Sequence, residues 1–253
     1  MGFGMNKEKM TRTAFEYQWK NLQDGAFLLT DKRFKEHAVE FLTSELGIAK
    51  NWFKGKDILD AGCGGGRWSY GFLKLGANVT AIDYAKSAVD STLKNCSEFS
   101  NKIEAFQINI LKKRELKRLG KKFDMIFSWG VLHHTGDTKK AFDSLVPLLK
   151  PKGIMHVYIY GRWSLSKRTI LFLSNTFLPI LNLNQQRWIL SKVASKGELH
   201  TFFDTLSPKI ADTHTESEVV SWFRENNFTY IRRMYPSWCP NDKTGLHMQG
   251  IKA

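Results

Sequence analysis

The sequence predicts an α/β protein built on a doubly wound, mainly parallel sheet, and three observations carry that expectation. An apolar strand, Asp57-Ile58-Leu59-Asp60-Ala61, runs straight into the turn Gly62-Cys63-Gly64-Gly65-Gly66 and then into a helix opening at Arg67. A second apolar stretch, Asn78 to Ile82, closes on an acidic residue, Asp83. Strand-like and helix-like segments then alternate to about residue 160, the pattern that places helices on both faces of a parallel sheet.

The elements follow in chain order. Phe15, Tyr17, Trp19, Leu22 and Phe27 give the N-terminal segment more aromatic weight than a loose tail carries, and predict a helical cap folded onto the ligand site. Asp31 caps a helix whose apolar positions Phe34, Ala38, Phe41, Leu42 and Leu46 share one face up to Gly47. In the core, helices are expected over Arg67–Leu75, closed by Gly76, and over Ser87–Cys96. Further strands are expected over Ile103–Ile108, Met125–Ser128 and Ile154–Ile159. After Tyr160 the alternation stops, and residues 161–205 read as a helical insertion following the fifth strand. Thr215-Glu216-Ser217-Glu218 is a capping box opening a helix through Val219, Val220, Trp222 and Phe223. Phe228–Ile231 and Leu246–Gly250 are the last two strands. The chain is read as one decorated domain, with a cap at 1–50, a core at 51–160, an insertion at 161–205 and the end of the sheet at 206–253.

The glycine turn is where an α/β sheet brings backbone against a nucleotide-like ligand, because a side chain there blocks close approach. Asp83, at the end of the second strand, is placed to accept hydrogen bonds from ribose hydroxyls. Dinucleotide oxidoreductases share that geometry but hold a pyrophosphate on GxGxxG spacing. Here the spacing is DxGxGxG, and Asp60 ahead of the first glycine repels a pyrophosphate while suiting a ligand with ammonium and sulfonium charges.

At these residues the chain resembles the class I S-adenosylmethionine-dependent methyltransferases. Phe123-Asp124-Met125-Ile126-Phe127-Ser128-Trp129-Gly130-Val131-Leu132-His133-His134 looks like the family's fourth strand and following loop. Leu148 to Gly153, then Ile154 to Tyr158, looks like its helix end, turn and fifth strand. Phe15, Gln18 and Trp19 match an F-x-x-Q-W opening found in some of its members, near the cofactor. The resemblance covers roughly residues 55 to 160. It implies a seven-stranded Rossmann-like methyltransferase fold whose last two strands form an antiparallel hairpin, and S-adenosyl-L-methionine as cofactor. Residue by residue, it implies Asp60, Gly62, Gly64 and Gly66 at the methionine end, Asp83 at the ribose, Asn109 and Ile110 beside the adenine, and Trp129 as a further cofactor-binding residue. Asn109 departs from the acidic residue usual there, although its amide oxygen can still accept a hydrogen bond. His133 and His134 are the candidate catalytic bases, since histidine titrates near neutrality and can take a proton from a hydroxyl or amine. His200, Asp204 and His214 are further candidates.

Composition narrows the acceptor. Cys63, Cys96 and Cys239 show neither metal-ligand spacing nor an even set, so no metal site and no disulfide framework is read, and a reducing, cytoplasmic setting fits. The N-terminus lacks the apolar core of a secretory signal, and no stretch is long enough to cross a bilayer. A net charge of +14 favours an anionic partner: nucleic acid, a membrane surface or an acidic metabolite. The basic run 112–122 reads first as a solvated helix face. Residues 161–197 carry six basic and no acidic residues among many apolar ones, which suits a lid over the acceptor or a peripheral contact with an anionic membrane; simple packing on the sheet is the plain alternative. No Asn/Asp-Pro-Pro-aromatic tetrad follows the fourth strand and no Pro-Cys does, which argues against base-amine and covalent cytosine methylation. The reading is therefore methyl transfer to a small-molecule or lipid-linked acceptor, with oxygen the favoured atom. An RNA methyltransferase and a non-catalytic S-adenosylmethionine-binding protein are the rivals.

Overall fold

A computed structural model describes residues 2–22, 28–162, 176–195, 198–239 and 245–253. The expected segments around Phe27, around Trp163, Ile170, Leu171, Phe172 and Leu173, and at Lys196–Gly197 lie outside the described residues. Helix α1 (Gly2–Asn21) precedes α2 (Lys32–Glu36) and α3 (Ala38–Leu46). The core alternates β1 (Asp57–Ala61), α4 (Arg67–Lys74), β2 (Asn78–Asp83), α5 (Lys86–Asn95), β3 (Ile103–Gln107), α6 (Lys113–Leu116), β4 (Phe123–Trp129), α7 (Thr138–Leu145) and β5 (Leu149–Tyr160). Then come α8 (Leu183–Val193), α9 (Leu199–Leu206), α10 (Glu216–Glu225), β6 (Phe228–Arg233) and β7 (Gly245–Lys252).

Among the described residues these strands form one seven-stranded sheet in the order β3-β2-β1-β4-β5-β7-β6, with β7 antiparallel to both neighbours and the first five strands parallel. Strand alternation divides the core in two. Leu59, Ala61 and Ile126 face a layer with Phe142, Trp222 and Phe223 from α7 and α10, whereas Ile58, Met125 and Phe127 face Leu42, Leu46 and Phe72 from α3 and α4. Both faces are therefore covered, as a mainly parallel sheet requires. Leu42, Leu46, Phe72 and Phe142 are fully buried, and cutting any one to alanine costs about 2–5 kcal/mol.

Three expected boundaries differ. The helix expected from Asp31 to Gly47 breaks at His37 (φ −105°, ψ 18°), which lets Phe34 stack on Phe41 at 5.0 Å and meet Trp68 edge-on. Strand β5 begins five residues before the expected Ile154, because Leu149 pairs with Phe123 and a register shift absorbs the Lys150–Gly153 turn. The basic run 112–122 forms only the short α6 and a 3-10 turn ending at Gly120, with Leu116 buried and the cations facing outward. Asp31 and the Thr215–Glu218 box cap their helices as expected. Helix α8 carries its own capping box, Asn182 with Gln185, which the sequence reading passed over.

Candidate functional site

The carboxyl ends of β1, β2, β3 and β4 open on a cavity of about 560 Å³. Gly62 begins the turn after β1 at φ +96°, and a Cβ there would stand 2.1 Å from Val131 Cγ2 in the loop after β4. Gly64 is at φ +53° beneath the Trp19 indole, where a Cβ would meet Cζ2 at 2.4 Å. Both positions need a residue without a side chain, for backbone angle and for space. The glycines thus bring the β4 loop, helix α1 and a bare peptide edge to one place.

Asp83 lines this cavity, accepting from Gly64 N at 3.0 Å through Oδ2 and from Ala85 N at 2.8 Å through Oδ1. Its carboxyl is withdrawn from bulk water by the cavity wall, which pushes it up to about 6 against the pull of the Ala85 and Gly64 amides; the Glu16 charge adds to the rise. Asp60 is buried behind the turn and does not reach the cavity wall. Ser69 Oγ donates to its Oδ2 at 2.5 Å, yet burial still raises it to about 6, with the Asp83 charge adding. Two carboxyls thus stand near the turn with a strained negative charge that a cationic ligand would relieve.

Of the residues expected to hold the cofactor, Gly62, Gly64, Asp83, Asn109, Ile110 and Trp129 line the cavity. Asp60 and Gly66 stand behind it; Gly66 opens α4 as its N-cap. Asn109 Oδ1 is engaged by Leu111 N at 2.9 Å, while its Nδ2 donates to Glu8 Oε1 of α1 at 3.2 Å.

The two histidines separate. His134 lines the cavity and its Nδ1 donates to the Ile210 carbonyl at 2.6 Å, which leaves Nε2 as the basic nitrogen. That Nε2 has no hydrogen-bond partner among the described residues. His133 is fully buried off the cavity, stacks on Tyr160 at 3.8 Å between ring centres, and its Nδ1 accepts from Tyr160 N at 3.4 Å. Burial lowers both histidines, His133 the further, so both are neutral near pH 7. His214 does not line the cavity, whereas His200 and Asp204 do.

Glu8, Thr11 and Arg12 escaped the sequence reading. With the expected Phe15 and Trp19 they present one helical stripe of α1 to the cavity. Glu16 fixes that helix by accepting from Lys86 N at 2.7 Å and Ser87 N at 3.0 Å at the start of α5. Arg67 lies over the Trp129 ring at 4.4 Å, and Trp129 stacks on Tyr158 at 4.3 Å. On the far wall the His200 Nδ1 donates to the Leu22 carbonyl at 2.7 Å and its Nε2 accepts from Gln18 at 2.9 Å. Gln18 of the F-x-x-Q-W segment therefore binds α1 to α9. Beneath Trp238, the buried Glu45 accepts from His156 Nε2 at 2.9 Å and His247 Nδ1 at 2.6 Å; burial opposes its charge, but these bonds bring it down to about 2.

Comparison with known proteins agrees with this geometry. Residues 58–153 match the family model described as a methyltransferase domain. The mitochondrial ubiquinone biosynthesis O-methyltransferase of Schizosaccharomyces pombe is 30% identical over 146 residues, covering 56% of this chain and 52% of that protein. The ubiquinone biosynthesis O-methyltransferase of Actinobacillus pleuropneumoniae is 36% identical over 107 residues, covering 42% and 46%. The chain thus spans about half the length of these curated relatives. In fold, it is similar to magnesium protoporphyrin IX methyltransferase from Synechocystis PCC 6803, solved with bound SAH, at a TM-score of 0.61 and 15% identity over 98% of both chains. Residues 58–153, with the glycine turn that faces the cavity, thus match a methyltransferase domain, and the chain shares the fold of that solved methyltransferase.

Proposed function

We propose that the protein transfers a methyl group from S-adenosylmethionine to the oxygen of a small-molecule or lipid-linked acceptor. The observation that carries this reading is one continuous cavity whose wall holds the glycine turn and Asp83 on one side and His134, Tyr160 and Asp204 on the other. The donor end fits the cofactor: Gly62 and Gly64 leave backbone where a Cβ would collide, and Asp83 offers a carboxylate to ribose hydroxyls. The cofactor supplies an activated methyl group on a good leaving group. What remains for the protein is placement, exclusion of water and removal of a proton. His134, neutral, held by Ile210 through Nδ1 and with a buried, unpartnered Nε2, is the candidate base for an acceptor hydroxyl. Tyr158, Trp129 and Trp238 supply an apolar, aromatic wall for the acceptor body.

The relatives named for ubiquinone biosynthesis support an acceptor with a ring hydroxyl and an apolar tail. The insertion supports the same class. Phe177, Ile180, Trp188 and Val193 are 60%, 78%, 63% and 66% exposed, beside Arg187 and Lys192, and residues 161–197 hold no acidic residue. Such a surface suits the headgroup region of an anionic bilayer, with the insertion acting as a lid on the acceptor side of a single decorated domain. Among the described residues no helix is long and apolar enough to cross a membrane.

Incubation with methyl-labelled S-adenosylmethionine and a panel of catechols bearing short and long apolar tails tests the reading, with label expected in the phenolic ether. Label confined to RNA added to the same reaction would replace it with the rival that the net charge of +14 favours. Co-sedimentation with phosphatidylglycerol vesicles is expected at low salt and lost on Trp188→Glu. Absence of sedimentation would remove the membrane contact.

A further inference from the structure

We propose that Glu8, on a helix outside the matched methyltransferase segment, reads the base edge of the cofactor in place of the residue that follows β3; the inference rests on the cofactor reading above. The strand order places the glycine turn after β1, Asp83 at the end of β2 and Asn109 just beyond β3 in a row along the mouth of the sheet. A ligand whose ribose meets Asp83 therefore extends its base toward Asn109 and Ile110. The adenine edge at that end carries an exocyclic amine, which needs an acceptor.

Asn109 is poorly suited to serve. Its Oδ1 is engaged by the Leu111 amide at 2.9 Å and its Nδ2 is a donor. Glu115, the other nearby acid, accepts from the Asn109 amide at 2.8 Å and pairs with Lys112, and it does not line the cavity. Glu8 does line the cavity, and its Oε1 already accepts from Asn109 Nδ2, so its carboxylate is oriented beside the base position with a second oxygen to offer. Glu8, Arg12, Phe15 and Trp19 recur at helical spacing on one stripe of α1, and Trp19 covers Gly64 at the opposite end of the ligand. Docking α1 thus completes both ends of the cofactor site: the indole over the methionine turn and the carboxylate at the base.

Calorimetric titration of the full chain with S-adenosylhomocysteine and with its inosine counterpart, in which a carbonyl replaces the amine, tests the assignment. The wild type is expected to prefer the adenosyl ligand by about 10- to 100-fold, the value of one charge-assisted hydrogen bond. Glu8→Ala should lose most of that preference. Glu8→Gln, whose amide can donate as well as accept, should bind the inosine ligand better than the wild type does. An undiminished preference in both variants, each verified folded by circular dichroism, would overturn the role of Glu8. So would an equal loss for both ligands, the mark of a merely structural tie between α1 and Asn109. A wild type that binds neither ligand would instead overturn the cofactor reading beneath it.

Discussion

Lowering the pH should release the cofactor before it unfolds the protein, and the size of the effect follows from Asp83 and Asp60. Both carboxyls stand near 6 in the ligand-free chain, because burial disfavours their charge, against an ordinary value of 3.8. S-Adenosylmethionine brings an ammonium and a sulfonium near the glycine turn and hydroxyl donors to Asp83, all of which favour the ionised form. If Asp83 returns to 3.8 on binding, affinity at pH 5 is about tenfold weaker than at pH 7.5, and about a hundredfold weaker if Asp60 follows. The sign for folding alone is opposite. A carboxyl raised above its unfolded value opposes folding where it is charged, so the empty protein gains from these two groups as pH falls from above 6 toward 3.8. The assay is titration calorimetry with S-adenosylmethionine, in the absence of acceptor, at pH 7.5, 6 and 5, in buffers of different protonation enthalpy. Proton release near pH 6 is expected, about half a proton for each carboxyl engaged. An affinity that stays flat from pH 7.5 to 5, with the fold intact by circular dichroism, would refute the placement of cofactor charge beside these aspartates.

Other outcomes follow from single contacts. His134→Asn should lower kcat by about 10²–10⁴-fold with cofactor affinity unchanged, whereas His133→Asn should act mainly on stability; rapid-quench methyl transfer beside thermal melts distinguishes them, and equal kcat in wild type and His134→Asn would remove the base. Gly62→Ala puts a Cβ 2.1 Å from Val131 at φ +96°, so loss of measurable cofactor binding and a stability loss of about 1–3 kcal/mol by urea titration are expected. Glu45→Gln weakens the bonds from His156 and His247, and because burial lowers His156 and keeps it neutral at pH 7 the loss is that of charge-assisted hydrogen bonds, about 1.5–3 kcal/mol. Glu45 lies below its ordinary 4.5, at about 2, so its contribution is present above 4.5 and fades as the pH falls through 2; urea midpoints for wild type and variant should converge over that range.

The glycine turn could be read from residues because its determinants are local: an apolar strand, residues free of Cβ where the chain bends, and a helix start lie within a dozen positions. The sheet was legible for the same reason, since Ile58, Leu59, Val79 and Met125 stand in short apolar runs separated by helical spacing. What stayed hidden was made by long-range contact. His133 and His134 are neighbours of the same type, and only the Ile210 carbonyl, 76 positions away, and Tyr160 sort them into one imidazole on the cavity wall and one behind it. Asn109 drew attention as a departure from an acidic residue, but the carboxylate beside it comes from Glu8, 101 positions earlier, on a helix whose aromatics alone stood out. Thr11 joins these distant parts: its Oγ1 accepts from Lys209 N at 3.0 Å and Ile210 N at 3.1 Å, next to the carbonyl that orients His134. The helix that carries Glu8 to the base edge is therefore tied by one hydroxyl to the segment that sets the tautomer of the candidate base. On the roles proposed above for Glu8 and His134, cofactor recognition and proton removal share a support that neither motif, taken alone, contains.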